Sequence, residues 1–170
     1  MIELLILYKL SKKVLTMYGI SKDIHNDFAV LTTPSYGTIK PALNRLQKMG
    51  CVLTQKVMST GGRPSTYYSI TKEGLETLEK ELLSPIQENP VHFLTTARIR
   101  LICSEVLGRD EQSQLYKMLK LKSETLMVEI KGLLEENGYM YIQKVVLDNL
   151  LCEYNNFCSL LEGLTRASKN

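Results

Sequence analysis

The sequence predicts a mainly α-helical protein in which a short two-stranded hairpin follows three helices and a helical segment makes up the C-terminal half. Three observations predict it. Apolar residues recur at three- and four-residue spacing along most of the chain, the period of an α-helix buried on one face. Strand-prone residues gather in two runs, Cys51–Met58 and Thr66–Thr71, on either side of Ser59-Thr60-Gly61-Gly62-Arg63-Pro64-Ser65. Pro85 and Pro90, with Gln87-Glu88-Asn89 between them, mark a hinge that divides the chain into domains 1–83 and 84–170.

In order, Leu4, Leu5, Leu7, Tyr8 and Val14 around Lys9, Lys12 and Lys13 predict a first amphipathic helix ending near Ser11–Lys13. Tyr18-Gly19-Ile20 reads as a break, and Ser21 as the N-cap of a second helix with Asp23 in its first turn. Ile24, Phe28 and Leu31 give that helix its buried stripe, with His25 on the polar side. Thr33-Pro34 offers a cap and a first-turn proline for the third helix, and Ile39, Leu43 and Leu46 its buried face. Pro41 conflicts with a start at Thr33, where it would remove a backbone bond well inside the helix. Either the helix is bent there or it begins nearer Gly37 or Thr38. Gly50 is its C-cap. Of Tyr67 and Tyr68, which point to opposite faces of a strand, one is expected in the core.

After the hairpin, Thr71 caps a fourth helix through Leu75, Leu78 and Leu82. Three more helices are expected at about 91–107, 110–137 and 141–166. The first has Phe93, Leu94, Ala97, Leu101 and Ile102 as its stripe. The second has Leu115, Leu119, Leu126, Ile130 and Leu133, and the third Leu147, Leu151, Tyr154, Cys158 and Leu161. The last two repeat like the seam of a coiled coil or helix hairpin, with Asn137-Gly138 as the turn between them. Helix, helix, turn, helix, hairpin is the order of a winged helix-turn-helix.

Charge narrows the function. Between Lys9 and Lys72 there are ten basic residues against Asp23 and Asp27 alone, a net of +8 in a chain whose total is +3. A basic module of this kind suits a polyanion. Off the buried stripe of the third helix lie Tyr36, Thr38, Lys40, Asn44, Arg45 and Lys48, rich in donors and free of acids. Ser35, Tyr36, Thr38, Lys40, Asn44 and Arg45 on this helix, with Lys56 and Arg63 on the hairpin, form the candidate DNA-binding set. Lys9, Lys12, Lys13, Lys22 and Lys48 are further phosphate candidates.

Other classes lack their residues. The four cysteines, Cys51, Cys103, Cys152 and Cys158, show no CxxC spacing, and His25 and His92 lie far apart, so no metal or cofactor site is expected. Gly61-Gly62-Arg63-Pro64 lacks the lysine, hydroxyl and following helix of a phosphate loop. No nucleophile–base pair or pair of carboxylates stands at a catalytic spacing, so no enzyme is expected. No apolar run reaches a membrane span, and the chain is expected in the cytoplasm.

The stretches GTIKPALNRLQKMG and GGRPSTYYSITKEG, with LTMYGISKDI before them, resemble the PadR family of bacterial transcriptional regulators over about residues 1–82. The resemblance implies a homodimeric winged-helix repressor, joined through its C-terminal helices and released from operator DNA by a small molecule or other signal. Three features depart from the family pattern. Lys40 stands where tyrosine is usual, Ser65-Thr66 replaces a basic pair on the wing, and the absence of tryptophan excludes an effector pocket of stacked indoles. A winged-helix adaptor that binds another protein in place of DNA is the alternative reading.

Overall fold

The computed structural model of the chain describes residues 1–58, 64–86, 90–136 and 138–167. In chain order these form α1 (Ile2–Lys12), β1 (Leu15–Thr16), α2 (Met17–Phe28), α3 (Tyr36–Lys48), β2 (Val52–Met58) and β3 (Pro64–Ile70). They continue with α4 (Lys72–Leu83), α5 (Pro90–Cys103), a 3-10 turn (Ser104–Val106), α6 (Arg109–Glu135) and α7 (Tyr141–Ala167). The fold is the mainly helical winged helix-turn-helix with C-terminal helices that the sequence predicts. The chain divides into two compact units, Met1–Ser84 with Arg98–Val106, and Pro85–Ala97 with Leu107–Asn170. No helix among the described residues is long and apolar enough to cross a membrane.

The first unit is built on α1, whose residues from Leu4 to Leu10 are all buried and which packs on α2, α3 and α4. The sheet holds one strand more than the hairpin. β1 pairs antiparallel with β3, Leu15 opposite Tyr68 and Thr16 opposite Tyr67. β2 lies on the other side of β3, in register from Val52–Ile70 to Met58–Pro64. Two residues are too few to leave a periodicity, which is why β1 is invisible in the sequence.

Several local expectations are corrected. α2 begins at Met17 and not after Ser21, because the Thr16 hydroxyl accepts the Gly19 N–H at 3.1 Å and caps the helix. Gly19 therefore lies inside the helix, where a Cβ would stand 3.1 Å from a Leu15 methyl. α3 begins at Tyr36, with Ser35 as N-cap and Pro41 left inside the helix. Having no N–H, Pro41 cannot return the usual bond to the Gly37 carbonyl one turn earlier. Neither hairpin tyrosine is in the core: Tyr67 is exposed and Tyr68 half-buried. Past Val52 every residue of β2 is exposed, so this strand extends beyond the core. Leu75 and Ile102 are exposed, and Leu31 and Leu101 are half-buried. Gly50, by contrast, has the positive φ of 75° that a helix-terminating glycine supplies.

Lys9 is also corrected. It is buried, 7% of its side chain exposed, and paired with the Asp27 carboxylate. Its ammonium lies 5.1 Å from the centroids of the Tyr8 and Phe28 rings. It is part of the core and not a phosphate contact. Removing the carboxylate strands a buried charge, so Asp27→Ala is expected to cost about 2–3 kcal/mol, below the full cost of breaking a buried pair because Asp27 is half in solvent. A urea titration checks this, and Lys9→Met in the same chain is expected to restore most of the loss. Beside it, Tyr8 donates to Glu105 and Lys12 reaches the same carboxylate oxygen at 2.9 Å. The Tyr8 bond and then Lys12 hold Glu105 below the usual carboxylate range. Its contribution to stability is present above the unfolded pKa and fades as pH falls through the lowered folded value. Burial pushes the nearby Cys103 thiol up to about 12, so it stays protonated at neutral pH.

In the second unit α6 and α7 pack along each other. Leu115, Tyr116, Leu119, Ser123, Leu126 and Ile130 are buried from α6, and Tyr154, Phe157, Cys158 and Leu161 from α7. Leu133, Leu147 and Leu151 of the expected stripes are only half-buried. Phe93 of α5 stacks on Tyr154 with ring centroids 6.1 Å apart and meets Phe157 edge-on at 6.5 Å. Lys120 joins the two helices by an ion pair to Glu162 at 2.7 Å.

Candidate nucleic-acid interface

The site is built on α3. Ile39, Ala42, Leu43 and Leu46 are buried, which fixes the rotation of the helix about its axis. At 3.6 residues per turn the opposite face is then Gly37, Pro41, Asn44 and Lys48, all exposed. Tyr36, Lys40 and Gln47 flank it on one side, Thr38 and Arg45 on the other. Glycine and proline lead this face, so its first turns carry little side-chain bulk and a ligand can approach the backbone closely.

Each flank is anchored. Gln47 donates to the Thr54 hydroxyl of β2 at 3.3 Å, tying the helix to the hairpin. Arg45 donates its Nε–H to Glu3 Oε1 of α1 at 2.6 Å. At the helix start, the Ser35 carbonyl accepts from the N–H groups of Thr38 and Ile39 and from the Thr38 hydroxyl at 2.8 Å. The Ser35 hydroxyl caps nothing and has no partner among the described residues. Asn44, Gln47 and Lys48 line a shallow cavity of about 440 Å³ at the end of the helix.

Of the sequence-predicted residues, α3 brings Tyr36, Thr38, Lys40, Asn44 and Arg45 together on one exposed surface, with Ser35 at its start. Lys56 is exposed on β2 opposite Thr66, on the same face of the hairpin as Val52. Arg63, with Gly61 and Gly62, lies outside the described residues. Lys13 pairs with Asp23 at 2.8 Å, and Lys12 and Lys9 are paired as above. The basic surplus of the span is therefore not spread over its surface: among the described residues Lys22, Lys40, Lys48 and Lys56 have no acidic partner. Glu3 and Gln47 were missed. Nothing short-range in the sequence joins Glu3 to an arginine 42 positions away.

α3 with its exposed face and the hairpin that follows it fall within one stretch of chain. A family profile described as the transcriptional regulator PadR-like family matches residues 6–80. Among solved structures, the chain is similar to the PadR of Bacillus subtilis in complex with operator DNA, with 21% identity over 98% of each chain and a TM-score of 0.47. It is similar to the same protein in complex with p-coumaric acid, with 21% identity over 99% of this chain and 96% of that one and a TM-score of 0.42. A PadR-like transcriptional regulator from Bacillus cereus strain ATCC 14579 is 33% identical over 46% of this chain and 74% of its own, with a TM-score of 0.40. No curated protein matches the chain. The matched segment holds both motifs quoted from the sequence, and residues 6–80 belong to the PadR-like family of transcriptional regulators.

Proposed function

We propose that the chain is a sequence-specific DNA-binding repressor that works as a homodimer and is released from its operator by an effector. The observation that carries the reading is the exposed face of α3, where Ser35, Tyr36, Thr38, Lys40, Asn44 and Arg45 offer donors and the face itself carries no acid. A helix of this kind fits the major groove with its early residues at base edges, while the hairpin follows the backbone through Lys56 and Arg63. Pairing two copies through the C-terminal helices gives a two-fold dimer. It implies an inverted-repeat operator with half-sites about one helical turn apart. Release by a small molecule is what the family contributes to the reading.

The test is a labelled duplex recovered by selection from random sequence on the wild-type chain. Lys40→Ala together with Arg63→Ala is expected to weaken its binding about a hundredfold, with the circular dichroism spectrum unchanged. Unaltered affinity in that variant would remove both residues from the interface. A protein-binding adaptor remains the second reading, favoured by the exposed Leu53, Val57 and Tyr67 on one face of the hairpin. Salt separates the two: duplex binding falls steeply as salt rises, and a flat response favours the adaptor.

A further inference from the structure

We propose that Glu3, which lies outside the DNA-facing set, is a positioning residue that orients the Arg45 guanidinium toward a DNA phosphate. The inference rests on the reading of α3 as the DNA-binding helix.

An arginine carries five N–H donors on a rigid, planar fork. Glu3 Oε1 engages one of them, Nε–H, at 2.6 Å. Among the described residues the Nη groups have no partner, so the outer edge of the fork is available for an anion. Fixing one edge of a planar group fixes its plane. A guanidinium held at Nε therefore presents its Nη donors in a set direction, the geometry that phosphate accepts. Glu3 can act as such a stop because its own backbone is held: the residues that follow it, Leu4 to Leu10, are buried throughout. Arg45 stays 55% exposed and Glu3 33% exposed, so the pair sits at the surface where DNA would arrive.

A bare ion pair at this exposure does little for stability. Its charge, moreover, works against DNA binding, because a carboxylate beside the interface repels phosphate. The sign of the effect on binding is therefore diagnostic. If Glu3 acts only through its charge, neutralising it tightens binding. If it positions Arg45, losing it weakens binding in spite of the charge removed.

The experiment measures binding of wild type, Glu3→Ala, Glu3→Gln, Arg45→Ala and the double Glu3→Ala/Arg45→Ala variant to the selected duplex by fluorescence anisotropy over a series of salt concentrations. Glu3→Ala is expected to bind about five- to tenfold more weakly and to lose about one unit of salt slope, one phosphate contact. Glu3→Gln keeps an acceptor for the Nε–H and is expected to fall between wild type and alanine. In the Arg45→Ala background Glu3→Ala is expected to weaken binding no further. Equal or tighter binding by both Glu3 variants overturns the proposal in favour of repulsion. An equal loss in the Arg45→Ala background overturns it in favour of a general effect on the fold, which thermal melting of Glu3→Ala would also register. If the wild-type chain recovers no duplex, the DNA-binding reading fails and the role of Glu3 falls with it.

Discussion

A chain carrying Ile142→Asp and Val146→Asp is expected to sediment as a folded monomer at concentrations where the proposed wild-type dimer forms. The two residues lie one turn apart on α7 and are 67% and 61% exposed. Around them Met140, Tyr141, Val145 and Leu150 are exposed as well, and a groove of about 310 Å³ runs between Tyr139, Ile142, Gln143, Val146 and Leu147. An apolar face of this extent on a helix with a well-buried far half is what a protein interface leaves uncovered in a single copy. Placing a carboxylate at each position would force four charges, two from each copy, out of water when the dimer forms. About 4 kcal/mol of lost association energy, roughly a thousandfold in the dissociation constant, is the expected scale. The far half of α7, with Tyr154, Phe157, Cys158 and Leu161 buried, is untouched, so helicity should be retained. Sedimentation equilibrium decides: a wild-type monomer at micromolar concentration, or a variant that sediments like the wild type, would remove this face from the proposed dimer.

Gly74→Ala has the largest expected effect within the winged unit. Alanine inside a helix is ordinarily worth about 1 kcal/mol over glycine. Here the sign reverses. A Cβ on Gly74 would stand 2.2 Å from the Cys51 carbonyl oxygen and 2.7 Å from an Ile70 side-chain carbon. The backbone around it has little room to shift. Thr71 Oγ1 accepts from the Gly74 N–H at 3.0 Å and donates to the Gly50 carbonyl at 2.8 Å. The Thr71 N–H donates to the Cys51 carbonyl at 3.0 Å. The start of α4 is thus bonded to the chain between α3 and β2, and a methyl group would push them apart. A loss of about 3 kcal/mol is expected, at the upper end for overpacking because one partner is backbone. Gly132→Ala on α6 is the control: nothing lies within 4 Å of its Cβ, and about 0.5–1 kcal/mol of added stability is expected. Urea denaturation of both variants tests the contrast, and a Gly74→Ala chain as stable as the wild type would show that α4 can move away from Cys51.

The sequence could be read where one residue decides a local geometry. Thr71 as a cap, Gly50 as a stop, and the pairing of Val52–Met58 with Pro64–Ile70 all depend on their immediate neighbours. The buried stripe of α3 was readable too, and with it the exposed residues opposite. What escaped depends on partners far along the chain. β1 exists because Leu15 and Thr16 meet Tyr68 and Tyr67. Lys9 is buried because Asp27 and two rings surround it. An amphipathic pattern gives no sign that one of its lysines faces inward. Likewise no local pattern marks Glu3, and the structure pairs it with Arg45.

The two ties on α3, Gln47 to Thr54 and Arg45 to Glu3, make the helix a poor candidate for transplantation. A designer who grafts Tyr36–Lys48 onto a related scaffold to change its target would carry over the exposed side chains and lose the acceptors that hold two of them. To exchange specificity between relatives, Glu3 and Thr54 would have to travel with the helix.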